Sequence, residues 1–473
     1  MLRVIFIIMI IFIQSIYGQI DRSIEPRPKQ DFSMTIPEIK RAELKNGLRI
    51  LVVEHHELPI VQVTMLIRSG ADADEIEKFG IANLTADMLD EGTKSKSALQ
   101  IAEELDFLGT ELTTYANYDA TIGSMLTLKE HLYKSMNILA DVFLNPTFPE
   151  SEFIRLKNEL LTDLSAKKTR PDIIATEIFY DKLYGYDHPY GKSTEGTEET
   201  VSKITVEDLK RFYSEYYVPN NASIIFVGDV TLNEAYELVY KYFNKWQRKD
   251  FIQHKLLVKN RENNIEIFLI NKDGAPQSQI RIGNIGIERN NPDFYAVNIL
   301  NQIIGASNGR LFLNLRESKG YTYGAYANFS MRKSPGPFMA YSGVKTEVTD
   351  SALIEFFYEL NRIREELIDE NEFNMYKLAV VQRLPRVMET PSQIASQIMA
   401  IELFNLPDNF FNTLIENYKK VTREDILKVA RKYIHPESAV VVIVGDVEQI
   451  KSKVENLKLG YIILCDEKGN IKK

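Results

Sequence analysis

The segments Ile204-Thr-Val-Glu-Asp-Leu-Lys-Arg-Phe-Tyr-Ser-Glu-Tyr-Tyr217-Val-Pro219 and Val421-Thr-Arg-Glu-Asp-Ile-Leu-Lys-Val-Ala-Arg-Lys-Tyr433-Ile-His-Pro436 read as one passage written twice. Each is a helix running into a strand. Each continues at the same spacing into a β-branched run that ends Val227-Gly-Asp-Val230 or Val444-Gly-Asp-Val447. The offset is constant, 422 − 205 and 444 − 227 both giving 217. Two copies at so long a period describe a duplicated globular domain and not a solenoid.

Working outward, each copy opens with strand signals. In the first copy these are Gly47 to Glu54 and Ile60 to Ile67, and in the second Ile265 to Ile270 and Gln279 to Ile282. Helical patterns follow. Ser97-Ala-Leu-Gln100 reads as a capping box that starts a helix to Leu108. Glu130 to Phe143 and Ser151 to Ala166 carry apolar residues at three- and four-residue spacing. Strands at both ends of a copy with helices between them predict an α+β class, with two tandem α/β-sandwich domains over 35–245 and 265–460. The charged stretch 246–264 is the expected linker.

The 473 residues, 44% of them apolar, supply ample material for two packed cores. With 57 Lys+Arg against 66 Asp+Glu, the net charge of −9 lacks the basic footprint that binding to a phosphate backbone requires, so no nucleic-acid partner is expected. The single cysteine, Cys465, excludes an internal disulfide framework and any multi-cysteine metal site. Met1-Leu2-Arg3, the apolar run Val4 to Ile13 and then Gln14 to Gly18 have the form of a signal peptide over 1–18, with Gln19 left first after cleavage. The expected location is therefore secreted or periplasmic. An uncleaved anchor would need about 20 apolar residues, more than this run holds, and no later stretch approaches a membrane span.

Several further segments carry a likeness. They are Phe79-Gly-Ile-Ala-Asn83-Leu-Thr-Ala86-Asp87-Met-Leu-Asp-Glu-Gly92-Thr93, Asn145-Pro-Thr-Phe-Pro149, Asp187-His-Pro-Tyr-Gly191 with Thr194-Glu-Gly-Thr197, and Arg310-Leu-Phe-Leu-Asn-Leu-Arg316-Glu-Ser-Lys-Gly320-Tyr-Thr-Tyr323. In this order, over about residues 40 to 450, the chain resembles the pitrilysin/insulinase-type metallopeptidases, the inverted zincins. The chemistry of that family needs H-x-x-E-H, in which two His at i and i+4 hold a zinc and the Glu activates its water. Here the five positions read Asn83-Leu84-Thr85-Ala86-Asp87, so the imidazoles and the general base are both missing. Where the resemblance places the downstream glutamate ligand, 163 − 87 or 76 residues on, the chain has Asp163.

Asn83, Asp87 and Asp163 would suit calcium or magnesium better than zinc, but a hydrogen-bonded polar face is the simpler reading, and we expect no metal bound by this chain. The six histidines offer no substitute site. His55 and His56 are adjacent on a strand reading and point apart, and His131, His188, His254 and His435 lack a ligand at helical spacing. Gly305-Ala-Ser307-Asn-Gly309 matches G-x-S-x-G but follows a helix-like stretch, where a nucleophile elbow must follow a strand. Cys465 is expected to be a packed or edge-strand thiol.

What the second copy keeps is different. In the resembled family, an Arg and a Tyr seven residues apart reach from the second domain to the zinc site and hold the substrate, and Arg316 and Tyr323 match that pair. A guanidinium and a phenol are both donors that can be aimed at a carbonyl oxygen as it gains charge. The resemblance implies half of a clamshell, and a chain without H-x-x-E-H that pairs with a homologous catalytic subunit carrying it. The expected function is thus the non-catalytic, substrate-binding subunit of a heterodimeric zinc metallopeptidase. Arg316 and Tyr323 would serve a peptide in the partner's site, and the partner would hold the zinc. Two alternatives stand beside it: a structural or peptide-binding scaffold of the same fold, and an enzyme with an atypical metal site.

Overall fold

The computed structural model describes residues 38–251, 256–258 and 264–472. The expected signal peptide and part of the expected linker lie outside the described residues. Strands β1 (Lys40–Glu43), β2 (Arg49–Glu54), β3 (Ile60–Ile67), β4 (Glu111–Ala116), β5 (Thr121–Leu128) and β6 (Ala222–Gly228) form one six-stranded sheet in the order β1-β2-β6-β3-β5-β4. Strands β7 (Glu266–Asn271), β8 (Gln277–Ile285), β9 (Thr322–Phe329), β10 (Pro337–Lys345), β11 (Val440–Gly445) and β12 (Tyr461–Cys465) form a second, in the order β12-β7-β11-β8-β10-β9. The helices used below are α1 (Ile81–Asp87), α2 (Ala98–Leu108), α3 (Leu132–Leu144), α4 (Glu150–Lys167), α5 (Pro171–Tyr184), α6 (Val206–Tyr216), α7 (Phe294–Gly305), α8 (Thr349–Glu365), α9 (Glu370–Arg383), α10 (Pro391–Phe404) and α11 (Arg423–Tyr433).

The repeat found in the sequence extends to hydrogen-bond register. Arg49 pairs with Ser223 across the parallel β2/β6 ladder and Glu266 with Val440 across β7/β11, so that 266 − 49 and 440 − 223 again give 217. The strands β6 and β11 are buried along their whole length, which is why each reads as a continuous β-branched run and not as an alternation. The helices α6 and α11 that precede them are capped alike, Thr205 accepting from Asp208 N and Thr422 from Asp425 N. The predicted capping box at Ser97 and Gln100 is present. The helix read from Glu130 starts at Leu132, after a 3-10 turn over Lys129–His131. His55 and His56 lie just past β2 rather than on it, and His56 Nδ1 sits 2.7 Å from Asp229 Oδ1.

Each sheet is covered on one face by helices of its own half and on the other by a helix from the opposite half. Ile50 and Val52 of β2 join Ile81, Ile101, Met136 and Phe143 in the first core. Leu51 and Val53, on the opposite face by the two-residue period of a strand, pack with Ile394, Ala395 and Ile398 of α10. In return α5 places Ile174, Ala175, Ile178 and Phe179 against Phe268, Ile270, Val440, Val442 and Val444. A buried ion pair, Arg68 Nη2 to Glu402 Oε2 at 2.8 Å, ties α10 to the first sheet, and Ser223 Oγ adds a bond to the same oxygen at 3.0 Å.

The loop between β9 and β10 makes a second tie. Arg332 stacks 3.6 Å over the Tyr118 ring, and Lys333 donates from its backbone N to Asp119 Oδ2 at 3.0 Å and from Nζ to Asp72 Oδ2 at 3.1 Å. Tyr190, from the Asp187-His-Pro-Tyr-Gly191 segment, donates its hydroxyl to the same Asp119. Burial and the neighbouring Arg332 charge push His188 down to about 4, so the imidazole is neutral in this aromatic cluster. That segment is therefore structural here: it holds the two halves together.

Candidate functional site

The degenerate metal helix is built by two chain segments passing backbone to backbone. Gly80, at φ 100°, precedes α1, and a Cβ there would stand 2.6 Å from Glu195 O. Across the contact Gly196, at φ 77°, leaves no room for a Cβ against Phe79 O. These glycines accept a left-handed backbone that costs other residues energy, and they allow the approach. Asp74 Oδ2 and Oδ1 accept from Gly80 N at 2.7 Å and Ala82 N at 3.0 Å, satisfying donors that a helix start leaves open.

On α1, Ile81, Ala82, Leu84, Thr85 and Ala86 are buried in the first core, which leaves Asn83 and Asp87 on the one half-buried face. They stand one turn apart, as the i, i+4 spacing requires, and Asn83 Nδ2 donates to Asp87 Oδ2 at 2.8 Å. Asp87 is pushed up to about 7, first by burial and then by Asp90, Glu195 and Glu91, while the bond from Asn83 opposes the rise. Asp90 is raised to about 6, again chiefly by burial. Asp163 is exposed on α4. Among the described residues no three His, Cys, Asp or Glu side chains gather where a metal ion could be held.

This donor set does not fit zinc. The amide of Asn83 is spent on Asp87, there is no imidazole, and a single carboxylate falls short of the three protein ligands that a catalytic zinc requires. Ala86, in the position of the general base, is fully buried in the core and carries no group to move a proton.

The second-copy pair is presented differently. After a short turn of α-helix at Arg310–Phe312, the chain enters a π-helical turn over Leu313–Ser318. Leu315 points into the core and Arg316 points out, its side chain 46% exposed. The guanidinium lies 4.8 Å from the Phe312 ring centroid, and that ring lies 6.1 Å from Tyr326 on β9. The chain then turns onto β9, the outermost strand of its sheet, with Tyr321 N bonded to Leu315 O at 2.9 Å. Tyr323 is the second residue of that edge strand and is 86% exposed. An edge strand offers unpaired backbone donors and acceptors beside the two side chains.

Sequence reasoning missed the groups that surround Arg316. Asn314 Nδ2 donates to Glu355 Oε2 at 3.0 Å and to Glu359 Oε1 at 2.9 Å, and Lys319 Nζ reaches Glu355 Oε1 at 2.7 Å. Arg310 makes a two-pronged bond to Glu372 of α9, with both contacts at 2.8 Å. The spacing of 314 and 319 is not helical, and nothing local marks a π turn, so no sequence signal pointed to them.

Residues 49–198 match the family model described as insulinase (peptidase family M16), and residues 203–380 match the one described as the peptidase M16 inactive domain. An uncharacterized zinc protease, YmxG of Bacillus subtilis, is 28% identical over 306 residues, 64% of this chain and 73% of its own length. A Helicobacter pylori protein described as non-peptidase homolog YmxG is 22% identical over 84% of this chain and 90% of its own. The crystal structure of a peptidase M16 inactive domain from Pseudomonas fluorescens superposes with a TM-score of 0.80 at 25% identity, covering 86% of this chain and 98% of that one.

Proposed function

This chain belongs to the insulinase-type M16 peptidase family and lacks the family's zinc-binding and general-base residues, and we propose that it is the non-catalytic, substrate-binding subunit of a secreted or periplasmic heterodimeric zinc peptidase. The observation that carries this reading is the contrast between its two halves. The first half keeps the metal helix but fills it with Asn83, Ala86 and Asp87. The second half presents Arg316 from its π turn, 46% exposed and 3.5 Å from Glu317 of the same turn, beside Tyr323, 86% exposed on the edge strand β9. The Tyr323 hydroxyl makes no hydrogen bond within the described residues, and its exposure contributes nothing to the core.

In the proposed assembly a homologous chain with H-x-x-E-H closes the chamber, and its zinc supplies the activated water. Residues of this chain bind and orient the substrate. An extended peptide pairs with the free edge of β9, so backbone bonds supply affinity with little demand on sequence. Arg316 and Tyr323 then donate to the carbonyl oxygen that gains charge during attack, where a preorganised donor is worth most. The leader-like residues 1–18 support the secreted or periplasmic setting. Among the described residues no helix is long and apolar enough to cross a membrane.

The test is hydrolysis by the assembly of this chain with its H-x-x-E-H partner. Arg316→Ala is expected to lower kcat roughly a hundredfold, and Tyr323→Phe by a smaller factor of the same kind. Full activity in both variants would reduce this chain to a structural scaffold.

A further inference from the structure

Two carboxylates of α8 hold the π-helical turn that carries Arg316: Glu359 accepts from Asn314 Nδ2 at 2.9 Å, and Glu355 alone binds both ends of the turn. Glu355 of α8 accepts from Asn314 Nδ2 at 3.0 Å through Oε2 and from Lys319 Nζ at 2.7 Å through Oε1. Those two residues are five apart. In an α-helix of 3.6 residues per turn, side chains five apart point to different faces. In a π-helix the i→i+5 repeat brings them onto one face. The backbone agrees, since Lys319 N donates to Asn314 O at 3.0 Å, and the Ser318 hydroxyl donates to Leu313 O at 3.1 Å over the same interval.

Burial raises the Glu355 carboxyl, but the bonds from Lys319 and Asn314 outweigh it and hold it below the ordinary carboxylate value. The group is therefore ionised when it clamps both donors. A groove of about 700 Å³ between the turn and α8 is lined by Asn314, Lys319, Ile354, Glu355, Tyr358 and Glu359, so on this side polar contacts, and not a packed apolar layer, hold the turn, while Leu315 anchors it to the core on the other. Such turns appear mostly as single insertions at functional sites, because the added residue rotates everything beyond it.

We infer that Glu355 is a positioning residue: by holding Asn314 and Lys319 on one carboxylate it fixes the π-helical register, and through it the direction of Arg316. The inference rests on the substrate-binding role proposed above only for its functional consequence. The register itself is a property of this chain.

Hydrogen exchange followed by mass spectrometry on the full chain tests the register. Glu355→Ala is expected to speed exchange about tenfold in peptides over 313–321, where the π bonds protect the amides, with the remaining peptides unchanged. Glu355→Gln, which keeps one acceptor oxygen and puts an amide donor in place of the other, is expected to restore only part of the protection, and Lys319→Met to lose a similar part of it. Unchanged exchange in Glu355→Ala and Lys319→Met would overturn the inference. In the assembly with an H-x-x-E-H chain, Glu355→Ala should lower kcat as Arg316→Ala does, and the double variant should lose nothing further. A Glu355→Ala assembly at full kcat, beside an impaired Arg316→Ala, would also overturn it. If Arg316→Ala itself has no effect, the proposed subunit role fails, and the exchange result alone decides the register.

Discussion

At Asp87 the replacement of the metal-binding residues leaves a buried carboxyl that titrates near neutrality. The carboxyl is raised to about 7 by burial and by the acidic neighbours Asp90, Glu195 and Glu91, so its folded value stands well above the unfolded one. A carboxyl of that kind favours the folded state when protonated, and its contribution is lost as pH rises from about 4 through 7. Asp87→Asn removes the charge, and it should stabilise the chain by about 2 kcal/mol at pH 8, after allowance for partial solvent screening, with little effect at pH 4. Urea unfolding at the two pH values checks the sign, and equal effects at both would contradict it. Arg316 and Tyr323 give the opposite case. Tyr323 is exposed and Arg316 is half-exposed with a surface ion pair to Glu317, so Arg316→Ala and Tyr323→Phe should leave unfolding within about 1 kcal/mol of the parent chain while hydrolysis by the assembly falls. At this scale the sequence was informative about absence: Asn83, Ala86 and Asp87 could be read directly against H-x-x-E-H. It did not show that Asn83 bonds Asp87 or that Asp163 stands exposed on α4, because those depend on where helices face.

At the level of elements, the central strands were legible because burial on both faces writes a continuous β-branched run, as in β6 and β11, whereas β4, β5, β10 and β12 were not read from the sequence. The exchange of α5 and α10 between the halves was not. An amphipathic helix records that one face is apolar and does not record which sheet covers it. The π turn was hidden for a related reason, since nothing in Leu313 to Ser318 itself marks the i→i+5 repeat, and the carboxylates that bind Asn314 and Lys319, Glu355 and Glu359, lie in another helix. The exchanged helices carry a large share of the packing. Phe179 on α5 is fully buried against the second sheet and Ile398 on α10 is 2% exposed against the first, so Phe179→Ala should cost about 3–5 kcal/mol and Ile398→Ala about 2–5. Arg68→Ala leaves the Glu402 carboxylate with Arg49 Nη1 at 3.1 Å and the Ser223 hydroxyl, and should cost about 1–3 kcal/mol. Chemical denaturation measures all three, and values near zero would mean that the exchanged helices are dispensable covers.

For the whole molecule, two sheets with matching register, each roofed by a helix of the other half, fold the described residues of a duplicated chain into one compact unit. The two halves differ in what they present: the first has Asn83, Ala86 and Asp87 in place of metal ligands, and the second shows Arg316 and Tyr323 at the start of its edge strand. The central claim is that this body is one side of a chamber whose other side holds the zinc. The most direct test is mass-spectrometric identification of what co-purifies with the chain from its native source, together with the stoichiometry of the complex. The account predicts a similar-sized homologue with an intact H-x-x-E-H at one to one. Recovery of this chain alone, or with unrelated membrane proteins, would contradict it.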